Sequence, residues 1–149
     1  MRIWIDTEFN GYQGDLISIA LVDEDGRDFY AVLSCANPIP WVAEHVMPIL
    51  DGEPISLADR QGTMARWLAA YDAVHIVADW PDDISNFMDL LITGPGSRLD
   101  TPPLTMEVRR DLDGVASRVP HNALEDAYAL RLSQLALEGA PIPLPGGPA

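Results

Sequence analysis

Three short β-rich runs crowd into the first 34 residues, and they restrict the fold more than anything else in the chain. Residues 2–6 (Arg-Ile-Trp-Ile-Asp) are ended by polar residues and Gly11. Residues 15–22 are mostly apolar, as expected of a strand covered on both faces. Asp23-Glu24-Asp25-Gly26 is a turn signal, and its Asp-Gly pair is typical of a hairpin. Residues 27–34 alternate imperfectly and complete an antiparallel meander.

After the meander the pattern changes. Residues 40–47 carry apolar positions at helical spacing and stop at Pro48. Residues 56–70 predict a second helix, with Ser56 as cap and Asp59 as its capping-box acid. Residues 73–78 read as a buried fourth strand and residues 82–91 as a third helix. Gly94-Pro95-Gly96 and Thr101-Pro102-Pro103 are breaks, and residues 104–108 suit a short strand. Residues 122–137 predict the last helix, with Asn122 and Glu125 at capping-box spacing and Gly139 and Pro141 as its stop. The order β-β-β-α-α-β-α-β-α predicts an α/β fold: a mixed, five-stranded sheet with helices on both faces. One domain is expected over residues 1–139, followed by a Pro- and Gly-rich tail, residues 140–149, expected to be mobile.

Strands 1 and 4 of this scheme end on Asp6 and Asp79, and strand ends are where ligands sit in such sheets. Asp6 and Glu8 are two apart, so a regular strand points both to one side. Adjacent carboxylates repel unless a cation lies between them, and hard oxygen donors select Mg²⁺ or Mn²⁺. Asp79, Asp82 and Asp83 flank Trp80-Pro81, although acids at 82 and 83 also suit a helix start. Asp126 falls on the face of the last helix that carries Ala123, Ala127 and Leu130, where a carboxylate needs a partner. His121 precedes the cap, and imidazole suits a general base near neutral pH.

Charge limits what such a site can bind. The net charge is −14, there is no lysine, and all nine cationic side chains are arginines. A protein that held long nucleic acid by its backbone should be basic. A nucleic-acid substrate must therefore be gripped locally, at an end. Arg98, Arg109, Arg110, Arg118 and Arg131 fall in the last third and could form a local positive edge. Trp4, Trp41 and Trp67 lie in apolar periodic segments and read as core, whereas Trp80 is the exposed candidate for stacking. The single cysteine, Cys35, suits a reducing compartment. No membrane span or secretory leader is visible, so a soluble, cytoplasmic protein is expected.

Asp6-Thr7-Glu8-Phe9, Asp83 and His121-x-x-x-x-Asp126 together resemble the three exonuclease motifs of the DEDDh branch of the DEDD superfamily. That superfamily includes ribonuclease T, oligoribonuclease and polymerase proofreading subunits. The resemblance extends to short bacterial exoribonucleases of the mycobacterial RNase AS type. It is carried there by residues 5–9, residues 15–19, Trp41-Val42 with Val46-Met47-Pro48, and residues 121–127, and it spans roughly residues 1–137. Such a resemblance implies a ribonuclease H-like fold and two divalent ions, Mg²⁺ or Mn²⁺, held by Asp6, Glu8, Asp83 and Asp126. Asp6 would bridge the ions and His121 would act as general base. Asp79 is the alternative to Asp83, because the segment Asp79-Trp80-Pro81-Asp82-Asp83-Ile84 departs from the usual motif.

The implied activity is 3′–5′ exonucleolytic release of nucleoside 5′-monophosphates from single-stranded or 3′-overhanging nucleic acid, RNA favoured. Backbone groups around Thr7 would hold the terminal 3′-hydroxyl, and Phe9 and Trp80 would contact bases. Many relatives are dimers that share a substrate groove, which makes a homodimer one expectation. Two other readings are an endonuclease on the same fold and a catalytically weak nucleic-acid-binding or assembly module.

Overall fold

The computed structural model describes residues 1–141. Strands β1 (Arg2–Phe9), β2 (Leu16–Asp23) and β3 (Asp28–Val32) form the meander, with antiparallel pairing throughout. Helices α1 (Pro40–His45) and α2 (Leu57–Leu68) follow, with a 3₁₀ turn at Met47–Ile49 between them. The second half runs β4 (Val74–Ala78), α3 (Pro81–Leu91), β5 (Ile92–Gly94), β6 (Ser97–Arg98), β7 (Leu104–Val108) and α4 (Ala123–Leu137). The main sheet has the order β3-β2-β1-β4-β7, with β1/β4 and β4/β7 parallel. This is a mixed, five-stranded, ribonuclease H-like α/β fold.

Alternation along the strands sorts the core into two layers. Ile3, Ile5, Ile19, Leu21, Ile76 and Ala78 pack with Met64 and Leu68 of α2 and Phe87 and Leu90 of α3. Each fully buried isoleucine there contributes roughly 1.5–3 kcal/mol. On the opposite face, Trp4 and Val77 meet Leu112 and Leu130, and Ala20 and Val22 meet Ala123 and Ala127 of α4. The small alanines let α4 lie close on β1 and β2. Trp4 is fully buried, and its indole N–H donates to Gln134 on α4 at 2.9 Å.

Local chemistry sets the helix ends. The Asn122 side chain accepts from the N–H groups of Leu124 and Glu125 and so caps α4, a contribution of about 1 kcal/mol. Glu125 does not close the other half of a capping box; it lies 3.4 Å from Arg118 instead. Gly139, at φ +66, ends α4: its N–H reaches Ala136 O and that of Ala140 reaches Leu135 O, a Schellman pair. Ser56 caps α2 as its spacing predicts, accepting from Asp59 N–H, while its hydroxyl donates to the Asp59 carboxylate.

Three details differ from the sequence pattern. Pro48 does not stop the chain's helical path; it sits at the start of the 3₁₀ turn, where its missing N–H costs nothing. Gly94-Pro95-Gly96 does more than break α3. Ile92 pairs with Arg98 and Gly94 with Ser97, leaving Pro95 and Gly96 (φ +68) as the corner of a small hairpin. Pro first and a left-handed Gly second suit a type II turn. The expected tail, residues 140–149, lies outside the described residues from 142 onward.

Candidate active site

The register of the parallel strands builds the site. β1 pairs with β4 over three residues only, ending at Trp4 opposite Val77. Two residues further along each strand stand Asp6 and Asp79, side by side where the strands part. Glu8 continues on the same side of β1 as Asp6, opposite Ser18 of β2. Asp126 arrives from the first turn of α4, and Asp83 from the first turn of α3. Carboxylate oxygens of Asp6, Glu8 and Asp126 all lie within 4.8 Å of one another, and so do those of Asp6, Asp79 and Asp83. Asp6 belongs to both groups. Asp79 and Asp83 therefore do not exclude one another: both reach Asp6.

Burial makes this arrangement costly without a cation. Burial pushes the Asp6 carboxyl well above the carboxylate range, and Asp83, Asp126, Glu8 and Asp79 push it further. Glu8 is raised to about 8, first by burial and then by Asp126 and Asp83. Asp83 is raised to about 7, mainly by burial, against hydrogen bonds from Thr7 that lower it. Burial also raises Asp79 and Asp126. Oδ2 of Asp6 and Oδ2 of Asp83 are covered and have no hydrogen-bond partner. Orphaned carboxylate oxygens facing other carboxylates fit hard divalent cations, which take all-oxygen ligands.

A stability test follows. A carboxyl with a raised folded pKa binds more protons folded than unfolded. Its contribution is fully present below the ordinary value and is lost as pH rises through the folded one. For Glu8 that window runs from 4.5 to about 8, and for Asp83 from 3.8 to about 7. The metal-free protein should lose melting temperature between about pH 5 and about pH 8, and Mn²⁺ should restore more of it at the higher pH. Equal Mn²⁺ stabilisation at both pH values would contradict this electrostatic picture.

His121 is exposed and sits at φ +69, in the left-handed region that side chains other than glycine adopt at a cost of roughly 1–2 kcal/mol. Its backbone N–H donates to Asp126 Oδ2 at 2.9 Å, tying the loop to the carboxylates. Its ring stands T-shaped to that of Trp41, centroids 5.0 Å apart, and Trp41 also stacks on His45 at 4.7 Å. Trp41 is 48% exposed, not core. The reason is local: α1 has only six residues and buries Val42 alone, so its neighbour faces outward. Trp4 is core and Trp67 is partly buried, as their patterns predict.

Thr7 lies between Asp6 and Glu8 but points to the other face, buried. Its N–H and its hydroxyl both donate to Asp83 Oδ1, at 3.0 and 2.7 Å. Phe9 is partly exposed and lines a groove of about 410 Å³ with Glu8, Tyr12, Ile39, Trp41 and Trp80. Trp80 is exposed and donates to Asp82 Oδ2, so Asp82 is occupied at the helix start. The arginines of the last third do not gather into one edge. Arg131 is buried on Glu24 O, and Arg109 is paired with Asp111. Arg110 does stand at the site, over the Trp80 ring at 4.4 Å and donating to Asp79 O.

A ribonuclease H-like sheet with acids converging where its central strands part defines a class of protein. Comparison with known proteins narrows it. Two 3′–5′ exoribonucleases, from two strains of Mycobacterium tuberculosis, are each 32% identical to the chain over an alignment of 162 positions, gaps included, covering 85% of it and 87% of the relative. The chain belongs to this family of 3′–5′ exoribonucleases. No protein-family model matches it. Among the described residues, no helix is long and apolar enough to cross a membrane.

Proposed function

We propose that the protein shortens single-stranded or 3′-overhanging RNA from its 3′ end, releasing nucleoside 5′-monophosphates. The observation that carries this reading is Asp6, shared by two groups of carboxylates at the end of β1. Asp6, Glu8 and Asp126 would hold one divalent ion and Asp6, Asp79 and Asp83 a second, Mg²⁺ or Mn²⁺. Such a pair of ions supplies charge stabilisation for the attacking and leaving oxygens of an in-line displacement.

The chain's own groups do the rest. His121, on the exposed loop beside Asp126, takes the proton from the attacking water. Phe9, Tyr12 and Trp41 offer apolar faces to the last bases, at roughly 1–3 kcal/mol per stacked base. Arg110, held over Trp80, sets one positive charge against a phosphate beside the acids. The rest of the surface repels a polyanion, since the net charge is −14. That favours an end inserted into the groove over a long strand laid across the protein.

Digestion of matched 3′-tailed RNA and DNA with Mg²⁺ or Mn²⁺ tests the reading. RNA with a free 3′-hydroxyl should be shortened one nucleotide at a time, and RNA with a blocked 3′ end should resist. Cleavage of the blocked RNA would make the protein an endonuclease. RNA left intact under every condition would leave it a binding module.

A further inference from the structure

We propose that Asn86 is a positioning residue for the acidic centre, acting through the hydroxyl of Thr7. The inference rests on the reading of that centre as a metal site and deepens it. Asp83 and Asn86 are three apart on α3, so they share one face of the helix. That face meets β1 at Thr7. The Asn86 amide nitrogen donates to Thr7 Oγ1 at 3.0 Å, and Thr7 Oγ1 donates to Asp83 Oδ1 at 2.7 Å.

The direction of this relay is fixed by proton counting. A hydroxyl has one proton, and Asp83 in its metal-holding form is an ionised carboxylate with none to give. The Thr7 proton therefore goes to Asp83, and Asn86 must present its NH₂ and not its carbonyl. The Thr7 backbone N–H adds a second bond to the same oxygen at 3.0 Å. Asp83 is 2% exposed, and its Oδ1 is engaged twice while its Oδ2 has no partner. The carboxylate is thus held in one orientation, with one oxygen anchored and the other left for the centre it shares with Asp6 and Asp79. Without Asn86 the Thr7 hydroxyl loses the donor that fixes its rotation, and only the Thr7 backbone N–H is left as a fixed donor to Asp83 Oδ1. Partners that orient a ligand in this way typically matter 10- to 100-fold for metal affinity, on the order of what removal of the ligand's support costs elsewhere.

Calorimetric titration of the purified full chain with Mn²⁺ alone tests this. Asn86→Leu, which keeps the shape and removes the donor, should raise the Mn²⁺ dissociation constant about tenfold. Thr7→Val should do the same, and Thr7→Ser should restore most of the affinity. Because both groups serve one relay, the double variant Asn86→Leu/Thr7→Val should be no worse than about twofold beyond either single one. KM for RNA should stay within about twofold of the parent, because the Asn86 amide is engaged by Thr7 Oγ1 and does not line the groove beside Phe9. Mn²⁺ affinity unchanged in folded Asn86→Leu, or fully additive losses, would overturn the proposal. If Asn86→Leu fails to fold, the Thr7→Val and Thr7→Ser pair decides: equal affinities would overturn it. Asp6→Asn separates the two levels of the argument. If it too binds Mn²⁺ like the parent, the metal site itself is wrong; if it loses binding while Asn86→Leu keeps it, only the relay is wrong.

Discussion

Replacing Asp6 by asparagine should cost at least about 10³-fold in kcat, while raising the melting temperature of the metal-free protein. The two effects have one cause. Asp6 is the carboxylate common to both acidic groups, so the change removes a charge on which both proposed ions depend. Lost transition-state charge stabilisation is worth several kcal/mol, and about 1.4 kcal/mol is one decade in rate. Stability moves the other way. Burial and four neighbouring carboxyls all oppose ionisation of Asp6, so an uncharged isostere relieves strain in the absence of metal. Turnover of labelled RNA, with thermal melts in chelator and in Mn²⁺, reads both. The Mn²⁺-induced rise in melting temperature should nearly vanish in Asp6→Asn. A variant that keeps more than a tenth of the parent activity would remove Asp6 from the chemistry.

His121→Asn should lower kcat by about 10²- to 10⁴-fold, the usual worth of a positioned general base, with no loss of stability. Asparagine is the informative choice because it tolerates the left-handed backbone found at φ +69. The Asp126 bond to residue 121 uses the backbone N–H and survives the substitution. Any loss is then a loss of the ring and not of the loop. Mn²⁺ affinity should be unchanged, which distinguishes this variant from those at the carboxylates. Full activity in His121→Asn would assign the proton to another acceptor.

What the sequence disclosed, and what it hid, follows the range of the interactions. Asn122 as the cap of α4 and Ser56 as the cap of α2 are set by residues two or three positions away. Asp6 and Glu8 at the end of β1 are likewise local, since strand alternation places both on one side. The choice between Asp79 and Asp83 was not legible, because it depends on where β1 and β4 stop pairing. Only the Trp4–Val77 register sets Asp79 beside Asp6 while α3, two residues on, brings Asp83 to the same oxygen cluster. Asn86 carries no signal of its own; its meaning lies in a hydroxyl 79 positions away. Trp41 reads as core from its sequence because apolar spacing continues through a helix too short to bury it. The hairpin at Ile92–Gly94 and Ser97–Arg98 is too short to show a period of two.

The way α4 closes the second face of the sheet has a consequence for the order of events in the cell. Asp6 is made 120 positions before Asp126, yet both belong to one cluster. Domains gain structure from the amino terminus as synthesis proceeds, so the meander and β4 are available long before α4 exists. Until then Trp4, Ala20 and Val22 lack the helix that covers them, and two of the acids have no third. A chain made only as far as β7 thus holds an incomplete cluster, and the group of Asp6, Glu8 and Asp126 forms only after α4 is added.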